Sequence, residues 1–204
     1  MTNESSQKMV ELEIDGNLWN RSFAVHSLVI IGSKEEDGSY NLAPKHMAMP
    51  LGFSPYFAFI GTARKSTYQN IKREKVFTVS YPSPNQLVIS SLTASQREKN
   101  NTKPIIDQIP TVDAQKIEGR LLKDAYFHLE CRLSEFMGKF GEWELVVGKI
   151  EAAYAQKAAL KRTGEDRSDN QLIYENPLLA YVHPDRFSVI KETHAFPFPK
   201  DFKR

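Results

Sequence analysis

Cysteine is almost missing from this chain of 204 residues: Cys131 stands alone, so no disulfide can close within it, as suits a reducing compartment. An excess of one charge is missing too. Against 27 basic residues stand 25 acidic ones, a net of +2, which leaves no basic footprint for a nucleic-acid backbone. No stretch approaches the roughly 18 apolar residues that span a membrane. The opening Met-Thr-Asn-Glu-Ser-Ser-Gln-Lys is polar and leads into no signal-peptide core. The five histidines do not fall at metal-ligand spacings, so no metal site is expected. These absences predict a cytoplasmic protein without nucleic-acid or membrane partners.

What is present is an ordinary globular balance, 41% apolar and 25% charged, in a length that suits one well-cored domain. Residues 1–20 read as an arm, with Trp19 and Phe23 expected to pin its end to the core. Val25–Ile31 is an apolar, β-branched run followed by Lys34-Glu35-Glu36-Asp37-Gly38-Ser39, and Asp-Gly between two such runs is a hairpin signal. The returning strand delivers Asn41-Leu42-Ala43-Pro44. Pro44 and Pro50 argue against continuous ladder pairing there, which would free backbone groups for a ligand.

Further strands are predicted at Tyr56–Gly61, Val76–Tyr81, Leu87–Ser91, Tyr126–Phe136 and Glu144–Tyr154. In one of them Phe127, Leu129, Cys131 and Leu133 alternate with His128, Glu130 and Arg132. That period puts Cys131 in the core and His128 and Glu130 on an outer face. Helices are few: one from Ser66, one over about Leu92–Asn100, and one or two short ones between Gln156 and Ile173 around Gly164. The pattern predicts a mainly β fold, an antiparallel barrel of Greek-key type with a few short helices.

The residues around Ser66 carry the clearest chemistry. Ser66-Thr67-Tyr68-Gln69 fits a capping box, and a helix starting there turns unpaired N–H groups and its positive dipole end outward. Arg64 and Lys65 add charge and Thr67 a hydroxyl, a set that suits a phosphate monoester. A solvated helix start with two surface cations is the plainer alternative.

Asn41, Ala43 and Pro44, followed by Lys65, Thr67, Asn70 and Ile71, resemble the Asn-x-Ala-Pro and Lys-x-Thr-x-x-Asn-Ile elements of the flavin reductase-like family. Pro50, Phe53, Pro55 and Phe57–Ile60 resemble its connecting loop and next strand. Leu129–Leu133, Val147–Ile150 and Pro177–Leu179 extend the likeness over roughly residues 22 to 190. The resemblance implies a split antiparallel barrel over 21–190, with an extended tail over 191–204. It implies bound FMN, with FAD as the alternative, and NAD(P)H as electron donor to flavin N5.

By position, Asn41, Leu42, Ala43, Pro44, Lys45, His46, Met47, Ala48 and Met49 would line the isoalloxazine, mostly through main-chain atoms. Lys65, Ser66 and Thr67 would take the phosphate, and Asn70 would brace the turn; Arg64 is added on its charge and position. No single catalytic residue is implied. His46 replaces a Ser common in the family and stands either near the flavin's pyrimidine edge or as a packed or solvent-facing residue. His183 and Arg186 lie in a segment resembling the family's nicotinamide side, with a plain turn as the alternative. Arg97-Glu98-Lys99-Asn100 departs from the acidic-Lys-Phe element of many relatives. The family also implies a homodimer and a monooxygenase as one candidate acceptor. The rival functions are a non-enzymatic flavin carrier or sensor and an oxidase of the pyridoxamine-phosphate oxidase type.

Overall fold

The computed structural model describes residues 9–161 and 168–201. A 3-10 turn over Leu18–Arg21 leads into β1 (Ala24–Ser27), β2 (Val29–Lys34), β3 (Tyr40–Lys45), β4 (Ala48–Pro50) and β5 (Tyr56–Gly61). Then come α1 (Ser66–Glu74), β6 (Val76–Tyr81), α2 (Leu87–Leu92), β7 (Thr111–Asp113) and β8 (Arg120–Leu122). The long pair β9 (Phe127–Phe140) and β10 (Trp143–Ala155) follows, and α3 (Asp169–Glu175), β11 (Leu178–His183) and β12 (Arg186–Ile190) complete the chain.

Seven strands form one curled antiparallel sheet in the order β3-β2-β6-β9-β10-β5-β4, the split barrel. Its two edges, β3 and β4, are consecutive in sequence and joined only by His46 and Met47. Closing the curl therefore needs no long crossover. A three-stranded sheet β1-β11-β12 and the hairpin β7-β8 lie apart from it. The Asp37-Gly38 turn forms as predicted between β2 and β3, with Gly38 at φ +86°.

The core explains the apolar run. Val29 and Ile31 pack with Phe57, Phe59, Phe77, Val79 and Cys131 inside the curl. Ile30 points the other way, into a second cluster with Leu42, Ile106, Ile109 and Leu122. A strand buried on both faces has no polar alternation. The run is nonetheless two strands, since β1 pairs with β11 while β2 joins the main sheet.

Several expectations are corrected. Leu87–Ser91 is helical: Pro84–Gln86 forms a 3-10 turn that continues into α2, and the backbone N–H of Ser83 donates to Gln86 Oε1 at 3.2 Å. That helix ends at Leu92, where one was expected to begin. Between Gln156 and Ile173 stand a 3-10 turn over Lys157–Ala159 and the start of α3, while Gly164 lies outside the described residues. Trp19 and Phe23 are exposed and do not pin the arm.

Glu130 is fully buried instead of facing outward. The 114–119 loop folds over it, and its carboxylate accepts the N–H groups of Gln115, Lys116 and Ile117 at 2.7, 2.6 and 3.1 Å. His128 beside it is half-buried, with Nε2 3.0 Å from the Leu122 carbonyl. Pro44 does not interrupt the ladder: β3 pairs with β2 from Tyr40 through Lys45. Pro44 and Pro50 both stand on edge strands, where a missing N–H can face away from the partner.

Candidate functional site

The expected capping box does not form. Ser66 is the first helical residue rather than the cap, and Gln69 Nε2 donates instead to the Ala63 carbonyl at 2.5 Å. The N–H groups of Tyr68 and Gln69 both donate to the Lys65 carbonyl, at 3.1 and 3.2 Å, which leaves those of Ser66 and Thr67 without a carbonyl behind them at the helix end. The inner face of α1 anchors the turn. Ile71 enters the core, Asn70 Nδ2 donates to Ser33 Oγ at 3.1 Å, and Tyr68 Oη donates to Glu144 Oε2 at 2.7 Å.

The edge strand β3 meets this turn side on. Asn41, buried, donates from Nδ2 to Thr67 Oγ1 at 3.1 Å. Lys45 and Lys65 are close enough to repel: burial first, then the charge of Lys65, pushes the Lys45 ammonium below its ordinary range. Among the described residues neither forms an ion pair. Arg64 differs, since it is exposed and pairs with Glu142 at 2.9 Å. The helix end opens onto a cleft of about 740 Å³ bounded by the 35–40 turn and the 97–107 segment, with Arg97 and Glu35 paired at its border.

At the other end of the β3–β4 segment, His46 stacks on Tyr181 with ring centroids 4.5 Å apart. His26 and His183 approach the same ring at 5.5 and 5.8 Å. Burial, followed by His26, His183 and Lys45, lowers the His46 pKa. His46 Nε2 and His183 Nδ1 are both buried without a hydrogen-bond partner. Met47 and Met49 present exposed side chains, and with Val25, His26 and Leu145 they line a hollow of about 450 Å³. Two bonds hold the backbone here: Ser27 Oγ donates to the Ala48 carbonyl at 2.8 Å, and the Ile60 N–H to the Met47 carbonyl at 2.9 Å.

The fold thus sets Asn41, near the start of the free edge strand β3, against Thr67 beside Lys65 and Ser66, while Lys45, next to His46, ends that strand. Leu42 is buried beneath it; Ala43 and Pro44 are half-buried along it, and His46 to Met49 form its far end. Arg186 is exposed. Sequence reasoning missed Lys103, whose Nζ donates to the Leu42 and Thr93 carbonyls and lies 3.5 Å from Asn41 Oδ1. Nothing in its polar surroundings, Asn100-Asn101-Thr102-Lys103, marks it. Among the described residues, no group of three His, Cys, Asp or Glu side chains is arranged to hold a metal ion.

Residues 22–183 match the family model of the flavin reductase like domain. The chain belongs to the flavin reductase-like family. Solved structures share this family's split barrel at low identity. Nitrilotriacetate monooxygenase component B from Bacillus cereus superposes with a TM-score of 0.76 at 14% identity, over 93% of this chain and 100% of that one. Flavoredoxin from Methanosarcina acetivorans gives 0.74 at 16%, over 94% and 97%. An FMN-binding protein from Thermus thermophilus gives 0.72 at 18%, over 92% and 98%. The search of curated proteins returned no match.

The donor set fits the family's cofactor. A phosphate monoester needs cations that are not already neutralised, and Lys65 meets that condition beside Thr67 at the start of α1, with Lys45 near enough to feel its charge. A planar, hydrogen-bonding ring needs open backbone groups next to apolar side chains. Among the described residues β3 has no strand on its outer side, though Lys103 takes the Leu42 carbonyl, and Met47 and Met49 supply the apolar side chains.

Proposed function

We propose that this chain binds FMN along the β3–β4 edge and reduces it with NAD(P)H. The observation that carries the reading is the start of α1, where Lys65 forms no ion pair among the described residues, its charge reaches Lys45, and Thr67 accepts from Asn41 of the free β3 edge. The names of the structural relatives, among them a flavoredoxin, an FMN-binding protein and a monooxygenase component, support the same cofactor class. The cleft beyond the phosphate end has room for an adenylate, so FAD is the alternative flavin.

Bound flavin supplies the hydride-accepting centre and its electronics. The protein's part is placement and polarity. Lys65, Ser66 and Thr67 hold the phosphate, with Lys45 adding charge from beneath. Backbone groups of Asn41 to Met49 fix the ring, and Met47 and Met49 shield it from water. Holding the nicotinamide against the ring in reactive geometry is worth roughly 7–11 kcal/mol of barrier through lost reactant freedom. His46 Nε2, with no hydrogen-bond partner and a lowered pKa, and the partnerless Nδ1 of His183 stand at the far end of the Asn41 to Met49 segment, where His46 can accept a proton as the ring gains electrons. A homodimer, in which the exposed tail around Phe196 and Phe198 docks on the partner, and reduced flavin supplied to a monooxygenase complete the reading.

The test is an absorbance spectrum of the protein with FMN, taken before and after anaerobic NADH and then NADPH. Bleaching of the bound flavin band with either donor supports the reductase and names the donor. A band that persists with both turns the reading to a carrier, a sensor or an oxidase of another substrate. A protein that leaves FMN free in solution overturns the site.

A further inference from the structure

We propose that Lys103 is a positioning residue of the phosphate site, acting through Asn41 to leave the Thr67 hydroxyl proton free for the phosphate. The inference rests on the reading of Lys65–Thr67 as that site. It begins with the two ends of the Asn41 amide. Nδ2 donates to Thr67 Oγ1 at 3.1 Å, and Oδ1 faces Lys103 Nζ at 3.5 Å. Reversing the amide would set its NH2 group against an ammonium and its carbonyl against Thr67. The hydroxyl would then spend its only proton on Asn41. With the ammonium in place the amide is held the other way: Thr67 accepts from Asn41 and keeps its proton for a ligand.

Lys103 does not itself reach for the ligand. An ammonium has three donors, and three oxygens meet them: the Leu42 carbonyl at 3.1 Å, the Thr93 carbonyl and Asn41 Oδ1. The Glu35 carboxylate, whose charge reaches Lys103, is taken by Arg97. Lys103 is therefore a partly buried cation held by neutral acceptors alone, and among the described residues it has no ion pair. Burial pushes its pKa down to about 8. Such a cation costs stability for a surface loop, where a neutral donor would staple the 93–103 segment to β3 equally well. Its positive charge has a use if it dictates the orientation of a buried amide, and Asn41 and Thr67 are both buried.

The experiment compares FMN with riboflavin, which lacks the phosphate, in the full chain. The proteins are the wild type, Lys103→Met, Lys103→Arg, Thr67→Val and the double variant Lys103→Met with Thr67→Val. Lys103→Met should weaken FMN about tenfold and leave riboflavin within about twofold, the size of one charge-assisted hydrogen bond lost. Lys103→Arg keeps charge and donors and should keep the preference for FMN. In the double variant the loss from Lys103→Met should vanish, because there is no hydroxyl left to orient. Equal losses for both flavins, additive losses in the double variant, or unchanged FMN binding in Lys103→Met would each overturn the role of Lys103. If Lys103→Met does not fold, an FMN preference lost in Lys103→Arg overturns the role and one retained there supports it. A wild type that binds FMN no better than riboflavin would instead overturn the phosphate reading on which the inference rests.

Discussion

The rings of His46 and Tyr181 lie stacked, 4.5 Å apart and 27° from parallel. One pair thereby joins the link between the main sheet's two edges to the small sheet β1-β11-β12. His183 and His26 crowd the His46 ring, so a seam between two sheets is lined by three imidazoles.

That seam should weaken in acid. The folded His46 pKa is held below its ordinary 6.5 by burial and by His26, His183 and Lys45. As pH falls below 6.5 the unfolded chain takes up a proton there before the folded chain does, so stability falls with pH. His46→Gln should flatten the dependence of Tm on pH between 7 and 5, measured in thermal melts. A variant whose Tm falls as steeply as the wild type's would exclude His46 as the cause.

The phosphate turn predicts a loss confined to one flavin. Lys65→Ala combined with Thr67→Ala removes a cation and a hydroxyl, each worth roughly 1.5–3 kcal/mol in a charge-assisted bond. FMN affinity should drop at least tenfold by fluorescence titration while riboflavin affinity holds. Unchanged FMN affinity would sink the assignment.

Glu130 should matter to stability and little to flavin. Replacing it with Ala strands three N–H groups of the 114–119 loop, and each buried unpaired donor costs about 1–3 kcal/mol. Glu130→Gln keeps one acceptor and should lose less in urea denaturation. Equal losses in the two variants would show that the loop does not depend on these bonds.

Gly32 leaves no space for a methyl group. A Cβ there would stand 2.3 Å from Thr78 Oγ1 and 2.4 Å from the Arg120 carbonyl, and a backbone oxygen cannot swing aside. Gly32→Ala should cost about 1–3 kcal/mol, read as a lower Tm.

Lys103 predicts an alkaline effect of the same sign as that of His46, at higher pH. Its folded pKa of about 8 lies below the ordinary 10.5, so between those values the unfolded chain binds more protons. Wild-type stability should therefore rise relative to Lys103→Met from pH 8 to 10.5. A constant Tm difference over that range would show that Lys103 carries no buried charge.

Much of the frame was legible in the residues. Asp37-Gly38 marked its hairpin, the alternation after Tyr126 marked β9, and Asn41 to Pro44 with Lys65 to Ile71 marked the family. Leu87–Ser91 misled because a short apolar run fits a strand or a buried helix equally. The deciding signal was Ser83-Pro84-Asn85-Gln86, a helix start just upstream. Glu130 misled because alternation tells which face a side chain takes, and says nothing of what later covers that face.

Local sequence thus determined most of the strands, the start of α1 and the residue types able to meet a phosphate, because these follow from backbone preference and side-chain chemistry within a few residues. The tertiary structure alone decided that the charge of Lys65 reaches Lys45, that His183 meets His46, and that Lys103 reaches Asn41. Those relations depend on sheet order and burial, which set distances and desolvation between residues far apart in the chain.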